Sequence, residues 1–161
     1  MNSIIEPKNE TSLMQNGLSE ERLIVKDKEH LHLLGRFIQA MFLGYLKKPG
    51  KVRVIERTCL IVAFDPGGLS DEGLTVSFEH GRVAIEVGIK PDAQIRITGE
   101  PAVLMMLSRI PAGWPLIKYF VSYEGKDLVK RIRSGELKLT GVFRHPVAMM
   151  RFTRIMAPNV Y

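Results

Sequence analysis

Apolar residues recur along the chain at two spacings, one of two residues and one of three to four residues. Alternation with a period of two is typical of strands buried on one face, and the longer period is typical of amphipathic helices. The clearest alternation covers 74–87 and is interrupted only by His80-Gly81. A two-residue loop that ends in glycine favours a tight hairpin and fixes its register. The predicted pairs are Phe78 with Val83, Val76 with Ile85, Leu74 with Val87 and Glu79 with Arg82.

Three more strands are predicted around this hairpin. Leu60 to Phe64 is a continuous apolar run, which indicates a strand covered on both faces. Ile95 and Ile97 alternate with polar residues, and Leu137 and Leu139 do the same before Gly141. Together with the hairpin these segments give five strands.

Helical spacing appears on both sides of the strand-rich region. It predicts a helix over 29–48 that stops at Pro49-Gly50 and a helix that starts near Pro101. Two further helices are predicted from about 116 to 134 and from His145-Pro146 to about Met156. Residues 1–28 are polar and are predicted to be a flexible extension whose removal costs little stability, ahead of a single domain over 29–161.

Composition narrows the class of protein. The 161 residues suit one domain, and 45% apolar with 25% charged residues is ordinary for a globular protein. No apolar run is long enough to span a membrane, and the first residues do not resemble a signal peptide. Cys59 is the one cysteine, so a cytoplasmic location is expected.

The net charge of +6 is concentrated in the last third of the chain. Residues 126–154 hold eight basic and two acidic side chains. Such a segment attracts phosphate-bearing partners, either nucleic acid or an anionic lipid surface, although it is also compatible with an ordinary solvated surface.

The residue types that carry catalysis or bind metals are present but not grouped. On a helix His30 and His32 would point in different directions, and His80 and His145 stand alone, so no metal site is predicted. Cys59 precedes an apolar strand and is expected to be buried and inert. No nucleophile elbow, phosphate-binding loop or dinucleotide fingerprint occurs. Neither a catalytic residue nor a cofactor is predicted, and the protein is not expected to be an enzyme.

Methionine is the distinctive residue of this sequence. Five of its eight methionines lie in the two predicted helices at 101–110 and 145–156. Methionine suits surfaces that accept apolar molecules of variable shape, although it also packs ordinary cores. The last helix is apolar on two sides and bears Arg151 and Arg154 on the third, so it suits both a cavity wall and a lipid headgroup layer.

The chain from Gly73 onward resembles the sterol carrier protein 2 (SCP2) domain family of lipid carriers. The resemblance is carried by the hairpin of 74–87, by the strand 92–99 that runs into Pro101, and by Ser134-Gly135-Glu136-Leu137-Lys138-Leu139-Thr140-Gly141 followed by a terminal helix. It covers roughly residues 50–157. Two departures are Leu74, where the family often has tryptophan, and a longer connection over 111–133.

The resemblance implies an α/β fold, with a mixed five-stranded sheet and helices packed on one face. It also implies an apolar tunnel between sheet and helices that holds a sterol, a fatty acid or an acyl-CoA ester. The residues expected to line it are Leu104, Met105, Leu107, Trp114, Met149, Phe152 and Met156. The residues expected near the ligand's headgroup are Arg144, Arg151 and Arg154.

The leading hypothesis is therefore an intracellular lipid carrier. Its expected partners are an apolar lipid, a transient anionic membrane surface and a lipid-metabolising enzyme. One alternative is a non-catalytic accessory subunit for enzymes of lipid or isoprenoid-lipid metabolism. The other is a nucleic-acid-binding module, which is disfavoured because aromatic residues are only 7% of the chain and do not interleave with the basic ones.

Overall fold

Six strands form one mixed sheet in the computed structural model, which describes residues 21–67, 73–106 and 122–157. The strands lie in the order β1-β4-β3-β2-β5-β6. The pairs β1–β4 and β2–β5 are parallel, and the other three are antiparallel. The strands are β1 (Leu23–Val25), β2 (Leu60–Asp65), β3 (Leu74–Glu79), β4 (Arg82–Val87), β5 (Ile95–Gly99) and β6 (Leu137–Thr140).

The hairpin β3–β4 has the register that the alternation predicts. Phe78 lies opposite Val83, and Glu79 lies opposite Arg82. His80 and Gly81 have φ angles of 49° and 76°, so both are in the left-handed region that a type I′ turn requires. The structure thus confirms the predicted register. The register could be predicted because both strands and their turn lie in one continuous segment of the sequence.

The strand count differs from the five expected. The additional strand is β1, which lies inside the range 1–28 predicted as an extension and pairs in parallel with β4. Leu23 and Val25 pack against the core. Three residues are too few to show an alternation, and the partner strand lies about sixty residues away, so local pattern could not reveal this pairing.

Five α-helices lie within the described residues, and they are α1 (Leu33–Leu46), α2 (Pro49–Glu56), α3 (Pro101–Met106), α4 (Tyr123–Ser134) and α5 (Pro146–Met156). A 3-10 turn covers Lys28–His30. The helix predicted over 29–48 is shorter than expected, and Pro49 does more than end it. Proline fits the first turn of a helix because the N–H it lacks would have no intrahelical partner, so Pro49 begins α2. The predicted helical residues 107–110 and 116–121 lie outside the described ones.

The helices cover the apolar face of the sheet. Phe42 of α1 contacts Phe78 of β3 with ring centroids 5.4 Å apart, and Phe152 of α5 faces Phe64 of β2 at 6.2 Å. The mixed α/β fold with helices on the apolar face is thus the one predicted.

The opposite face of the sheet is polar. Arg96 on β5 donates to Asp65 on β2, with a shortest distance of 2.7 Å between Nη2 and Oδ2. Burial opposes ionisation of Asp65, but hydrogen bonds from Arg96 and from the Gly67 backbone outweigh it and hold the pKa of this carboxyl below its usual value. The two faces therefore differ in chemistry, and the apolar one is the face that the helices enclose.

Candidate functional site

The candidate site is the apolar layer between the sheet and α5. Phe152 and Met156 of α5 are buried, and Met149 is partly buried against the same group of side chains. Leu104 of α3 is buried in that group too. These four residues come from two helices that are separated in sequence, and all four belong to or pack against the one apolar core that the helices share with the sheet.

The predicted ligand-lining residues divide into three groups. Leu104, Phe152 and Met156 are buried in the layer, and Met149 lies at its margin. Met105 belongs to α3, but its side chain is outside the described structure. Leu107 and Trp114 also lie outside the described residues, so their assignment stays a prediction.

The predicted headgroup arginines lie on the outer side of this region. Arg151 and Arg154 are exposed on α5, and Arg144 is exposed in the turn before it. Arg144 lines a surface depression of about 410 Å³ together with Gly141 and Phe143. The side chains that point into the layer and the arginines therefore lie on different sides of α5.

The C-terminal end of α5 is held by a buried lysine that the sequence did not suggest. Lys51 of α2 is fully buried, and its Nζ donates to the carbonyl oxygens of Arg154 at 2.9 Å, Ile155 at 2.6 Å and Ala157. The last carbonyls of a helix have no partner within the helix and favour a cation. Lys51 thus caps α5 from a neighbouring helix.

Tyr45 of α1 completes this cap. Its hydroxyl donates to the Met156 carbonyl oxygen at 2.8 Å, and the Lys51 Nζ lies 4.6 Å from its ring centroid. Burial lowers the pKa of Lys51 to about 8, with a smaller contribution from the charge of Lys48, and burial raises the pKa of Tyr45. Nothing in the local sequence distinguishes Lys51 from an exposed lysine, because its partners are about a hundred residues away.

The exposed apolar residues of α5 and of the turn before it are a second feature beyond the predicted site. Phe143, Val147 and Met150 are 98%, 59% and 63% exposed. The sequence carried a partial signal of them, since the helix has more apolar residues than a narrow core stripe needs.

The side chains that could ligate a metal ion or act as nucleophiles are scattered over the described part of the chain. There, no group of three or more His, Cys, Asp or Glu side chains is placed to hold a metal ion. The expected burial of Cys59 is wrong, because this residue lies in the connection between α2 and β2 and is exposed. Among the described helices, none has the length and apolar character needed to cross a membrane.

Comparison with known proteins finds a likeness among solved structures. No protein-family model matches the chain, and no curated protein matches it. Among solved structures the chain is similar to "UbiJ-SCP2 Ubiquinone synthesis protein", with 16% sequence identity, coverage of 95% of this chain and 93% of that chain, and a TM-score of 0.46. The function of this chain is therefore inferred from its own residues.

Proposed function

We propose that this protein is an intracellular lipid-binding protein that holds a sterol, a fatty acid or an acyl-CoA-like molecule between its sheet and α5. The proposal rests on the shared location of Leu104, Phe152, Met156 and Met149 in one apolar layer. Two of these four residues are methionines, whose flexible side chains can repack around an apolar molecule.

The mechanism is reversible transfer of an apolar tail from water or membrane into the layer. Burial of about 300 Å² of ligand surface at roughly 25 cal/mol per Å² contributes roughly 7 kcal/mol before the cost of association. The arginines Arg144, Arg151 and Arg154 supply positive charge for a carboxylate or phosphate at the other end of the ligand. Binding of this kind needs no catalytic group.

Two neighbouring methionines on α5 offer a matched test. Met149 is partly buried against the layer, whereas Met150 is exposed. We expect Met149→Glu to reduce uptake of the fluorescent fatty acid cis-parinaric acid at least about tenfold, because a carboxylate at the margin of the layer opposes entry of an apolar chain. Met150→Glu introduces the same charge one residue away and should leave uptake within about twofold of the wild type.

The measurement is a fluorescence titration of each variant, with circular dichroism and thermal unfolding to establish that the fold is kept. If Met149→Glu unfolds the protein, Met149→Gln replaces it, since an amide adds polarity without charge. Equal uptake of cis-parinaric acid by Met149→Glu and Met150→Glu would contradict the proposed site. Absence of uptake by the wild type, with no lipid found by native mass spectrometry of protein from its own host, would favour the accessory-subunit alternative.

A further inference from the structure

The outer side of α5 presents an apolar surface to water. We call this surface the outer patch, formed by Phe143, Val147 and Met150 with the arginines Arg144, Arg151 and Arg154. Phe143 is almost wholly exposed in the turn that precedes the helix, and it lies four residues before Val147. Residues three or four apart share a face of a helix, so Val147, Met150, Arg151 and Arg154 project on the same side of α5.

The charge of the outer patch is uncompensated along its own segment. Residues 137–157 contain no aspartate or glutamate, and within the described chain no carboxylate pairs with the three arginines. The other basic helix differs, because Arg131 of α4 is paired with Asp127 at 2.8 Å and with Glu136 at 3.1 Å. The outer patch therefore combines exposed apolar side chains with free positive charge.

This combination matches the boundary of an anionic lipid bilayer. Apolar side chains of an interfacial helix enter the acyl region, while arginines remain at the level of the phosphates and keep their long stems in apolar surroundings. We propose that the outer patch docks this protein on an anionic membrane surface. The depression of about 410 Å³ beside Phe143 and Arg144 provides room for part of a headgroup.

Charge and shape favour a bilayer over a nucleic acid as the occupant. Single-stranded nucleic acid is bound by several aromatic side chains that stack on successive bases, and Phe143 is the one aromatic residue of the outer patch. Val147 and Met150 have no role in binding phosphates, whereas both suit insertion among lipid tails. Binding to RNA is nevertheless an outcome that the test distinguishes.

The inference deepens the proposed function, because docking would place the opposite side of the same helix close to the source of its ligand. Met149, Phe152 and Met156 face the apolar layer, and the outer patch faces the membrane. Docking itself is measured on protein without added ligand, so it can succeed or fail independently of fatty acid uptake.

The first experiment reverses the charge of the patch. Vesicles of phosphatidylcholine with about 30% phosphatidylglycerol are sedimented with the full chain, and vesicles of phosphatidylcholine alone serve as the neutral comparison. A variant with Arg144→Glu, Arg151→Glu and Arg154→Glu should bind the anionic vesicles at least about a hundredfold more weakly, since the loss of each arginine costs about fivefold and each new carboxylate adds repulsion. The matched control on α4 is Lys126→Glu, Lys130→Glu and Arg133→Glu, which changes the net charge by the same amount and should lose less than about tenfold.

The second experiment removes the apolar part. Phe143→Ser with Met150→Ser should weaken vesicle binding at least about tenfold, because two side chains no longer enter the acyl region. The control is Leu33→Ser with Tyr123→Ser, which removes two exposed apolar residues elsewhere and should leave binding within about twofold. All four variants should keep the thermal midpoint of the wild type. The two serine variants and the charge-reversed control on α4 should also keep its uptake of cis-parinaric acid from solution, since none of them changes a residue of the proposed ligand site.

Three results would overturn the inference. The first is a wild type that does not distinguish anionic from neutral vesicles. The second is an equal loss of binding in the two charge-reversed variants, which would mean that net charge and not this surface governs attraction. The third is tighter binding of the wild type to single-stranded RNA than to anionic vesicles at about 0.15 M salt.

Discussion

Lys51 shows how much a single residue depends on distant parts of this chain. A buried ammonium is costly unless hydrogen bonds satisfy it, and here its partners are the last carbonyls of α5. The cap also satisfies carbonyls that would otherwise lack a partner in the protein interior. Removing one member of such a group costs more than the average hydrogen bond, because the remaining polar atoms stay buried.

The lowered pKa of Lys51 predicts a pH dependence of stability. The pKa is about 8 in the folded chain and 10.5 for an ordinary lysine, so between these values the unfolded chain binds more protons and the free energy of unfolding rises with pH. The rise between pH 8 and 10 should be about 2 to 3 kcal/mol. Above pH 10 the raised pKa of Tyr45 acts in the opposite direction, because the folded chain resists its ionisation.

Urea unfolding at several pH values measures this effect. Lys51→Met should flatten the dependence between pH 8 and 10, whereas Lys48→Met, at an exposed lysine nearby, should keep most of it. The same slope in the wild type and in Lys51→Met would contradict the assignment.

At the scale of elements, Gly141 governs how β6 leads into α5. Its φ angle is +83°, and a Cβ atom there would meet the backbone carbonyl of Gln94. The Gly141 carbonyl oxygen also accepts from the backbone N–H groups of Arg144 and His145 at 3.1 and 2.9 Å. The backbone at Gly141 therefore lies close against the backbone at Gln94, and its carbonyl oxygen holds the turn that leads into α5.

We expect Gly141→Ala to lower the free energy of unfolding by more than about 2 kcal/mol, because the backbone must shift as well as accept an unfavourable φ. Gly88→Ala separates the two causes, since Gly88 has a φ of +94° but open space around it, and should cost about 1 kcal/mol. Gly44→Ala lies in α1 in open space and should stabilise by up to about 1 kcal/mol. A cost at Gly141 no larger than at Gly88 would show that the approach to Gln94 is easily relieved.

The edge strand β1 makes residues 21–28 matter for stability. Besides its pairing with β4, this segment carries an ion pair between Arg22 and Glu56 at 2.8 Å, although both partners are exposed enough for it to add little. A chain that begins at residue 29 should be less stable than one that begins at residue 21 by about 2 to 3 kcal/mol, from lost strand hydrogen bonds and the partly buried Leu23 and Val25. Thermal unfolding measures this as a difference of about 5 to 10 °C, and identical midpoints would mean that β1 is dispensable.

At the scale of the whole molecule, the features that could be predicted from the sequence are those determined within one short segment of it. The hairpin register follows from one stretch of alternation, the strand that begins at Leu60 from one apolar run over 60–64, and the helix that begins at Pro146 from one proline. The parallel pairing of Leu23 with Val83 and the cap from Lys51 to Ile155 join segments far apart, and no single window contains them. For the candidate site, the assignment of α5 as one of its walls stays a prediction from the sequence. That Met149 is partly buried and Met150 exposed followed only from the packing of α5.

The described sheet ends in two short strands, of three residues at β1 and four at β6. Long, flat margins with free N–H and C=O groups are templates on which a second molecule can add a strand. Here the edge strand β1 is only three residues long, and the edge strand β6 carries the exposed ammonium group of Lys138. Short and charged edges of this kind disfavour edge-to-edge pairing of sheets, which matters for a protein that also exposes Phe143, Val147 and Met150.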